Sequence, residues 1–218
     1  MLVEEFMSSE VVTIGETRSV LEVRELVLNR NHRRIPVVDD VKRIKGIVTD
    51  GDVARTTPSD ASTLSKYEAN YILGKLKVKD IMTKDVITVC KTDGMELAAF
   101  KLFKHKIGAL PVVDEDNKLC GIISDADVFK VFVDLMGYAQ TSTKVTIDAT
   151  DKVGVLADIA QIFKGRGVNI ISVITRNVGG NKREIILRAD LTNSMDIIEE
   201  IRDAGFNITD ISTLKVDN

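Results

Sequence analysis

The chain has 218 residues, room for one to three small domains, and an apolar fraction of 44% that is enough to build packed cores. With 30 basic and 33 acidic residues its net charge is −3, so it carries no broad positive field to hold nucleic acid or an anionic membrane. Glu4 and Glu5 stand where a signal peptide carries positive charge, no apolar run reaches bilayer length, and Cys90 and Cys120 form no CxxC; the expectation is a cytoplasmic protein with ordinary reduced thiols.

From the N-terminus, Val11–Ile14 reads as a short strand. A helix follows, with Thr17 as its cap and Val20, Val23, Leu26 and Val27 as its apolar face. Ile35–Asp39 and Ile44–Thr49 read as strands joined by a polar turn through Asp40 and Lys42, and the second runs into a helix start at Asp50. The order is β-α-β-β-α over residues 1–57. A connector over 58–75 opens with the breaker Thr56, Thr57, Pro58 and Ser59 and continues into a short helix over Leu64–Leu73. Its Tyr67 and Tyr71, four apart, read as a packed helix face rather than a base-stacking platform.

Residues 76–137 then repeat the first unit. A shift of 75, from Pro36 to Pro111, aligns residues 2–55 with 77–130 without a gap. Met7 meets Met82, Thr13 meets Thr88, Pro36-Val37-Val38-Asp39 meets Pro111-Val112-Val113-Asp114, and Gly46, Ile47, Asp50, Asp52 and Val53 all recur. The second helix face is Met95, Ala98, Ala99, Leu102 and Phe103, and the closing helix runs from Asp125 to a stop at Gly137. A unit of some fifty residues buries too little surface to be secure alone, so the two copies are expected to pack face to face.

In both copies the last strand ends in a hydroxyl residue with an aspartate three positions on: Thr49 with Asp52, and Ser124 with Asp127. Two readings stand side by side. Each pair fits a capping box that only starts a helix. Each also puts a hydroxyl and free N–H groups at a positive helix end, which suits an anion, beside a carboxylate that can accept from ribose hydroxyls.

An apolar strand with hPVVD followed by Gly-h-h-Ser/Thr-x-x-Asp, present twice, resembles paired CBS domains. The resemblance implies an adenosine nucleotide as ligand, AMP, ATP or NAD-like, with Asp52 and Asp127 on ribose, Thr49 and Ser124 on phosphate, and Arg33 and Arg34 as further phosphate contacts. The alternative for Arg33, Arg34 and His32 is a solvated basic loop. Copy two departs from the pattern with Gly108 and Ala109 in place of the two arginines, which raises the question of whether the two clefts are equally able to bind.

Residues 143–218 have no copy upstream. Val145–Ala149 reads as a strand, Leu156, Ile159, Ala160 and Phe163 as one helix face ended by Gly165 and Gly167, and Ile170–Arg176 and Arg183–Leu191 as strands around the turn Gly179-Gly180-Asn181. Ser194 can cap a helix carrying Met195, Ile198 and Ile201; Gly205 stops it, and Ile208–Ser212 alternates into a last strand. The order βαββαβ is the ferredoxin-like one. With Asp151-Lys152-Val153-Gly154-Val155-Leu156 and Gly167-Val168-Asn169-Ile170, the segment resembles an ACT domain. That resemblance implies a small amino-acid-like effector held between two copies by Asp151, Gly154, Val155 and Asn169, although Asp151 stands where an asparagine can occur and its charge would repel an effector carboxylate. The alternative is that Gly154 and Asn169 make tight turns beside a structural dimer interface.

His32 and His105 occupy different repeat positions and fit no metal or nucleophile spacing, and no phosphate-loop motif is present, so neither a catalytic residue, a metal site nor a catalytic cofactor is expected. The α+β architecture resembles the acetoin-utilisation B-type proteins. The whole reads as a regulatory ligand sensor, and the β-branched strands of the small ACT unit, which need a second sheet edge or face to cover them, lead to the expectation of a homodimer; the alternatives are an oligomerisation scaffold with empty clefts or an enzyme with an unrecognised site.

Overall fold

The computed structural model describes residues 1–30, 32–57, 65–138, 140–192 and 194–215. The Pro58, Ser59 and Leu64 positions of the connector lie outside the described residues. The chain divides into two compact units, Met1–Val128 and Phe129–Asn218.

The first unit opens with a 3-10 turn at Val3–Glu5, then α1 (Val20–Arg30), β1 (Arg34–Val38), β2 (Ile44–Thr49) and α2 (Asp50–Thr56). After α3 (Lys66–Lys75) and α4 (Val78–Ile81) come β3 (Val89–Cys90), α5 (Met95–His105), β4 (Ala109–Val113), β5 (Leu119–Ser124) and the start of α6 (Asp125–Leu135). The repeat seen in the sequence is reproduced in the hydrogen bonding. In the antiparallel pair β1–β2, Arg34 faces Thr49 and Pro36 faces Ile47, with a bulge between Val37 and Val38. In β4–β5, Ala109 faces Ser124 and Pro111 faces Ile122, with the bulge between Val112 and Val113.

The expected strand at Val11–Ile14 shrinks to a single parallel bridge between Ile14 and Val37, whereas copy two forms the short strand β3 beside β4. Gly15 stands in copy one where copy two has Cys90, and a glycine weakens a strand through its entropy and missing side chain. Thr17 is not the cap of α1. Ser19 takes that role: its hydroxyl accepts from Glu22 N at 3.3 Å, and the Glu22 carboxylate accepts from Ser19 N at 3.2 Å.

The two copies exchange their entry arms. Thr83, from copy two, trades both backbone hydrogen bonds with Ile47 of copy one at 2.9 Å, and Ser8 trades both with Ile122 at 3.0 Å. Val78, Ile81 and Met82 accordingly pack with Ile35, Val37 and Val48 in the core of copy one. The approach explains the recurrent glycine. A Cβ on Gly46 would stand 2.5 Å from Met82 Sδ and 2.9 Å from Thr83 O; one on Gly121 would stand 3.1 Å from Met7 Cγ and 3.2 Å from Ser8 O. Neither glycine has a positive φ, so it is the space, not the conformation, that requires it.

Two expected faces are corrected. On α5 the buried residues are Met95, Ala98 and Leu102, while Phe103 is 84% exposed. On α3, Leu73 is buried but Tyr67 and Tyr71 are 88% and 64% exposed, so they form no packed face; Lys75 Nζ lies 4.3 Å from the Tyr71 ring centroid.

The second unit is an antiparallel sheet of β6 (Ser142–Thr150), β7 (Ile170–Gly179), β8 (Lys182–Ala189) and β9 (Asn207–Leu214) in the order β7-β8-β6-β9, with α7 (Val155–Gly165) and α8 (Ile197–Asp203). This is the ferredoxin-like arrangement. Val145, Ile147, Ile185 and Leu187 from the sheet meet Ile159, Phe163, Ile197 and Ile201 from the helices, each such side chain contributing about 1.5–3 kcal/mol on burial. On α7, Ile159 and Phe163 are buried as expected, but Val155 completes the stripe in place of Leu156, which is 43% exposed, and Ala160 is exposed. Ser194 does not cap α8, whose N-cap is Asp196 without a side-chain bond, and Met195 is half exposed. The β7–β8 turn runs through Gly179, Gly180 and Asn181 at φ of 85°, 60° and 59°, a left-handed path that glycine and asparagine take at least cost.

Candidate functional site

The first cleft is built by the β1–β2 hairpin and the arm exchange. Register puts Arg34 opposite Thr49, which ends β2 and caps α2. Asp50 N donates to Arg33 O at 2.9 Å, closing the hairpin onto the helix start. Thr49 Oγ1 accepts from Asp52 N at 3.2 Å and donates to Asp52 Oδ2 at 2.7 Å, while Thr49 N reaches the same carboxylate oxygen at 2.8 Å. The capping box is complete without a ligand, and Arg55 pairs with the remaining oxygen of Asp52.

A cleft of about 330 Å³ opens beside this cap. Arg34, Thr49 and Asp50 line it from copy one; Thr83, Asp85, Val86 and Ile87, on the entry arm of copy two, face them; Lys106 to Ala109, at the end of α5, complete it. Its volume lies in the range of small-molecule sites, and its wall mixes apolar side chains with a few charged ones. Two cations, Arg34 and Lys106, stand there without a hydrogen bond or ion pair to any described residue. Lys106 is presented by the left-handed C-cap of α5, at φ 53°. Sequence reading missed it, since nothing in its immediate neighbours marks it. Of the residues nominated for a nucleotide, Arg34 and Thr49 line this cleft; Arg33, Asp52, Ser124 and Asp127 are not in its lining.

Copy two repeats the cap. Ser124 Oγ accepts from Asp127 N at 3.3 Å and donates to Asp127 Oδ2 at 2.7 Å, Ser124 N reaches that oxygen at 2.8 Å, and Asp125 N donates to Gly108 O at 3.0 Å. Two differences separate it from copy one. No described cation pairs with Asp127, and Gly108 and Ala109 bring no charge.

In the second unit the nominated effector residues do not converge within one chain. Asp151 follows the end of β6, where Thr150 faces Lys182; Asn169 precedes Ile170, which shares Ala189 as partner with Thr143 at the other end. Seven residues of strand separate the two ends, about 23 Å at 3.3 Å per residue. Asp151 is already engaged: Arg183 donates from Nε to Oδ1 at 2.9 Å and from Nη2 to Oδ2 at 3.0 Å, and also from Nη1 to Thr175 Oγ1 at 3.1 Å. The bidentate guanidinium holds this carboxyl below the ordinary aspartate range. Gly154 has φ 92° with open space about it, and Val155 turns inward to the core. Asn169 lines a different cleft of about 460 Å³ with Gln140, Arg166, Asp190 and Ser194.

Among the described residues, no group of three or more histidine, cysteine, aspartate or glutamate side chains could hold a metal ion, and no helix is long and apolar enough to cross a membrane.

Comparison with known proteins agrees with this architecture. The CBS domain family matches residues 3–58 and 78–134, and the TTHA0829-like ACT domain family matches 141–212. Among curated proteins, a homoserine O-acetyltransferase of Methanocorpusculum labreanum is 36% identical over 124 residues, which is 57% of this chain but 23% of that protein. The chain thus spans about a quarter of the length of the curated relatives it matches. Among solved structures, CBSX2 of Arabidopsis thaliana in complex with AMP is 30% identical with a TM-score of 0.51, covering 61% of this chain and 96% of the other. An acetoin utilisation protein (AcuB) from Vibrio cholerae is 27% identical with a TM-score of 0.52, covering 64% and 95%. Matched over just over half its length by the CBS model, and with an ACT domain following the pair, the chain belongs to the CBS-domain family.

Proposed function

We propose that this protein is a regulatory ligand sensor whose first cleft binds an adenosine nucleotide, without itself catalysing a reaction. The observation that carries the reading is the pair of unpartnered cations, Arg34 and Lys106, facing the Thr49 cap in a cleft of about 330 Å³. Cations with unused donors favour a phosphate, and the apolar Val86 and Ile87 in the same cleft suit a purine. That CBSX2, similar over the CBS pair, has been crystallised with AMP supports the choice of ligand. Asp52 lies behind Thr49, outside the cleft lining, and would reach a ribose only by giving up Arg55, a partner whose own side chain is exposed. The corresponding pair in copy two, Ser124 and Asp127, would form a weaker site for want of a described cation, and Arg33, next to Arg34 in sequence, would be a further phosphate contact in copy one.

In the ACT unit, Asp151, Gly154, Val155 and Asn169 would approach one another only across two copies, so a small amino-acid-like effector and a homodimer stand or fall together. Arg183 would relieve the repulsion that Asp151 presents to an effector carboxylate. Likeness to the Vibrio cholerae protein supports a role in acetoin utilisation, and the acidic N-terminal residues Glu4 and Glu5 favour the cytoplasm. A second reading, an oligomerisation scaffold, is favoured by one observation: both capping boxes are complete without ligand. Mass spectrometry of small molecules released from the purified protein, followed by calorimetric titration with AMP, ATP and NAD, separates the two. A bound adenosine compound supports sensing; no binding of any of the three at millimolar ligand leaves the scaffold.

A further inference from the structure

Arg34 and Gly108 break the symmetry of the repeats in complementary ways. The counterpart of Arg33 in copy two is Gly108, and that of Arg34 is Ala109. A Cβ on Gly108 would overlap Nη2 and Cζ of Arg34 and stand 3.0 Å from its Nε. Gly108 does not have a positive φ, so backbone conformation does not call for a glycine at this point. The space above its Cα is what the guanidinium occupies, and nothing else in the described structure holds that guanidinium by a hydrogen bond or an ion pair.

We propose that Gly108 is a positioning residue, whose missing side chain seats the Arg34 guanidinium in the first cleft, where it selects a phosphorylated ligand over the bare nucleoside. The inference rests on the nucleotide reading of that cleft and sharpens it. Copy two carries the glycine because copy one carries the arginine: a side chain at 108 would displace the group on which phosphate recognition depends. The displaced atoms are the far end of a flexible chain, so a methyl group at 108 moves the arginine and leaves the backbone where it is. Thr49 and the apolar wall are untouched, and nucleoside binding is retained.

The test is calorimetric titration of the full chain with AMP and with adenosine, for wild type, Gly108→Ala, Arg34→Gln and the double variant, with melting curves to establish that each is folded. Gly108→Ala is expected to weaken AMP about tenfold, the order of one charge-assisted hydrogen bond, and to leave adenosine within about twofold. The double variant should lose no more than Arg34→Gln alone. Independently of any nucleotide, phenylglyoxal should modify Arg34 faster in Gly108→Ala than in wild type, as read by peptide mass spectrometry. A Gly108→Ala protein with the wild-type preference for AMP over adenosine overturns the inference while the nucleotide reading stands, as does equal weakening of both ligands. Binding of neither ligand to wild type removes the nucleotide reading and this inference with it.

Discussion

The two CBS copies share a hairpin register, a bulge, a capping box and an exchanged arm, yet they differ in the arginines at the start of the hairpin and in what pairs with the capping aspartate. Copy one supplies Arg34 where copy two supplies Ala109, and Asp52 is paired with Arg55 while Asp127 has no cation. Outside the first strand of each copy, the scaffold is kept: Gly46 and Gly121 both sit under the other copy's arm, and Thr49 and Ser124 both cap a helix. Structural constraints thus act equally on both copies, and ligand recognition is free to act on one. The charge difference at Arg34 and Ala109 is therefore where unequal ligand binding is to be sought.

That division can be broken experimentally. The largest effect is expected from the shared glycines. Gly46→Ala should cost about 1–3 kcal/mol by overpacking, and Gly121→Ala less, because the backbone oxygen facing it is 3.2 Å away rather than 2.9 Å. Urea unfolding measures both, and a neutral Gly46→Ala would mean that the arms are not held as described. Next, AMP at about a hundredfold its dissociation constant should add about 2.7 kcal/mol to wild type. Arg34→Ala, at a tenfold or greater loss of affinity, should erase half of that gain or more, and Asp127→Ala little of it, in melting curves with and without ligand. Without ligand, Asp52→Ala and Asp127→Ala should each cost about 1 kcal/mol as lost caps. A clearly larger cost at Asp52 would give the Arg55 pair more weight than an exposed pair ordinarily has.

The smallest expected effect lies in the ACT unit and is one of pH. The Asp151 carboxyl is depressed in the folded state by its hydrogen bonds from Arg183. Such a group contributes stability above its unfolded pKa, and that contribution is lost as pH falls through the folded one. Arg183→Met should therefore flatten the acid limb of stability below about pH 4, followed by denaturant titrations at several pH values. An unchanged limb would show that the pair does not contribute to it.

What was legible in the sequence was what is local or repeated. The capping boxes at Thr49 and Ser124 are read from three residues' spacing, and the shift from Pro36 to Pro111 predicts two copies with one element order, whose hairpins indeed have matching registers. The arm exchange was not legible, because swapping equivalent arms leaves each residue in an equivalent environment and the repeat unchanged. Lys106 was missed because its position in the cleft depends on a left-handed C-cap and on packing between the copies. On α7, Ile159 and Phe163 are legible as buried, but Val155 and Leu156 belong to two overlapping apolar stripes, and only the sheet beneath decides which is buried. The distance between Asp151 and Asn169 follows from strand length, but whether a second copy closes it is a matter of assembly.

The most direct test of the central claim, that copy one carries the nucleotide site, is calorimetric titration of AMP into wild type, Arg34→Ala and Asp127→Ala under one set of conditions. The account predicts saturable binding by wild type and Asp127→Ala and at least a tenfold loss in Arg34→Ala, about 1.4 kcal/mol or more. Binding that depends on Asp127 but not on Arg34, or no binding at millimolar AMP, would contradict it.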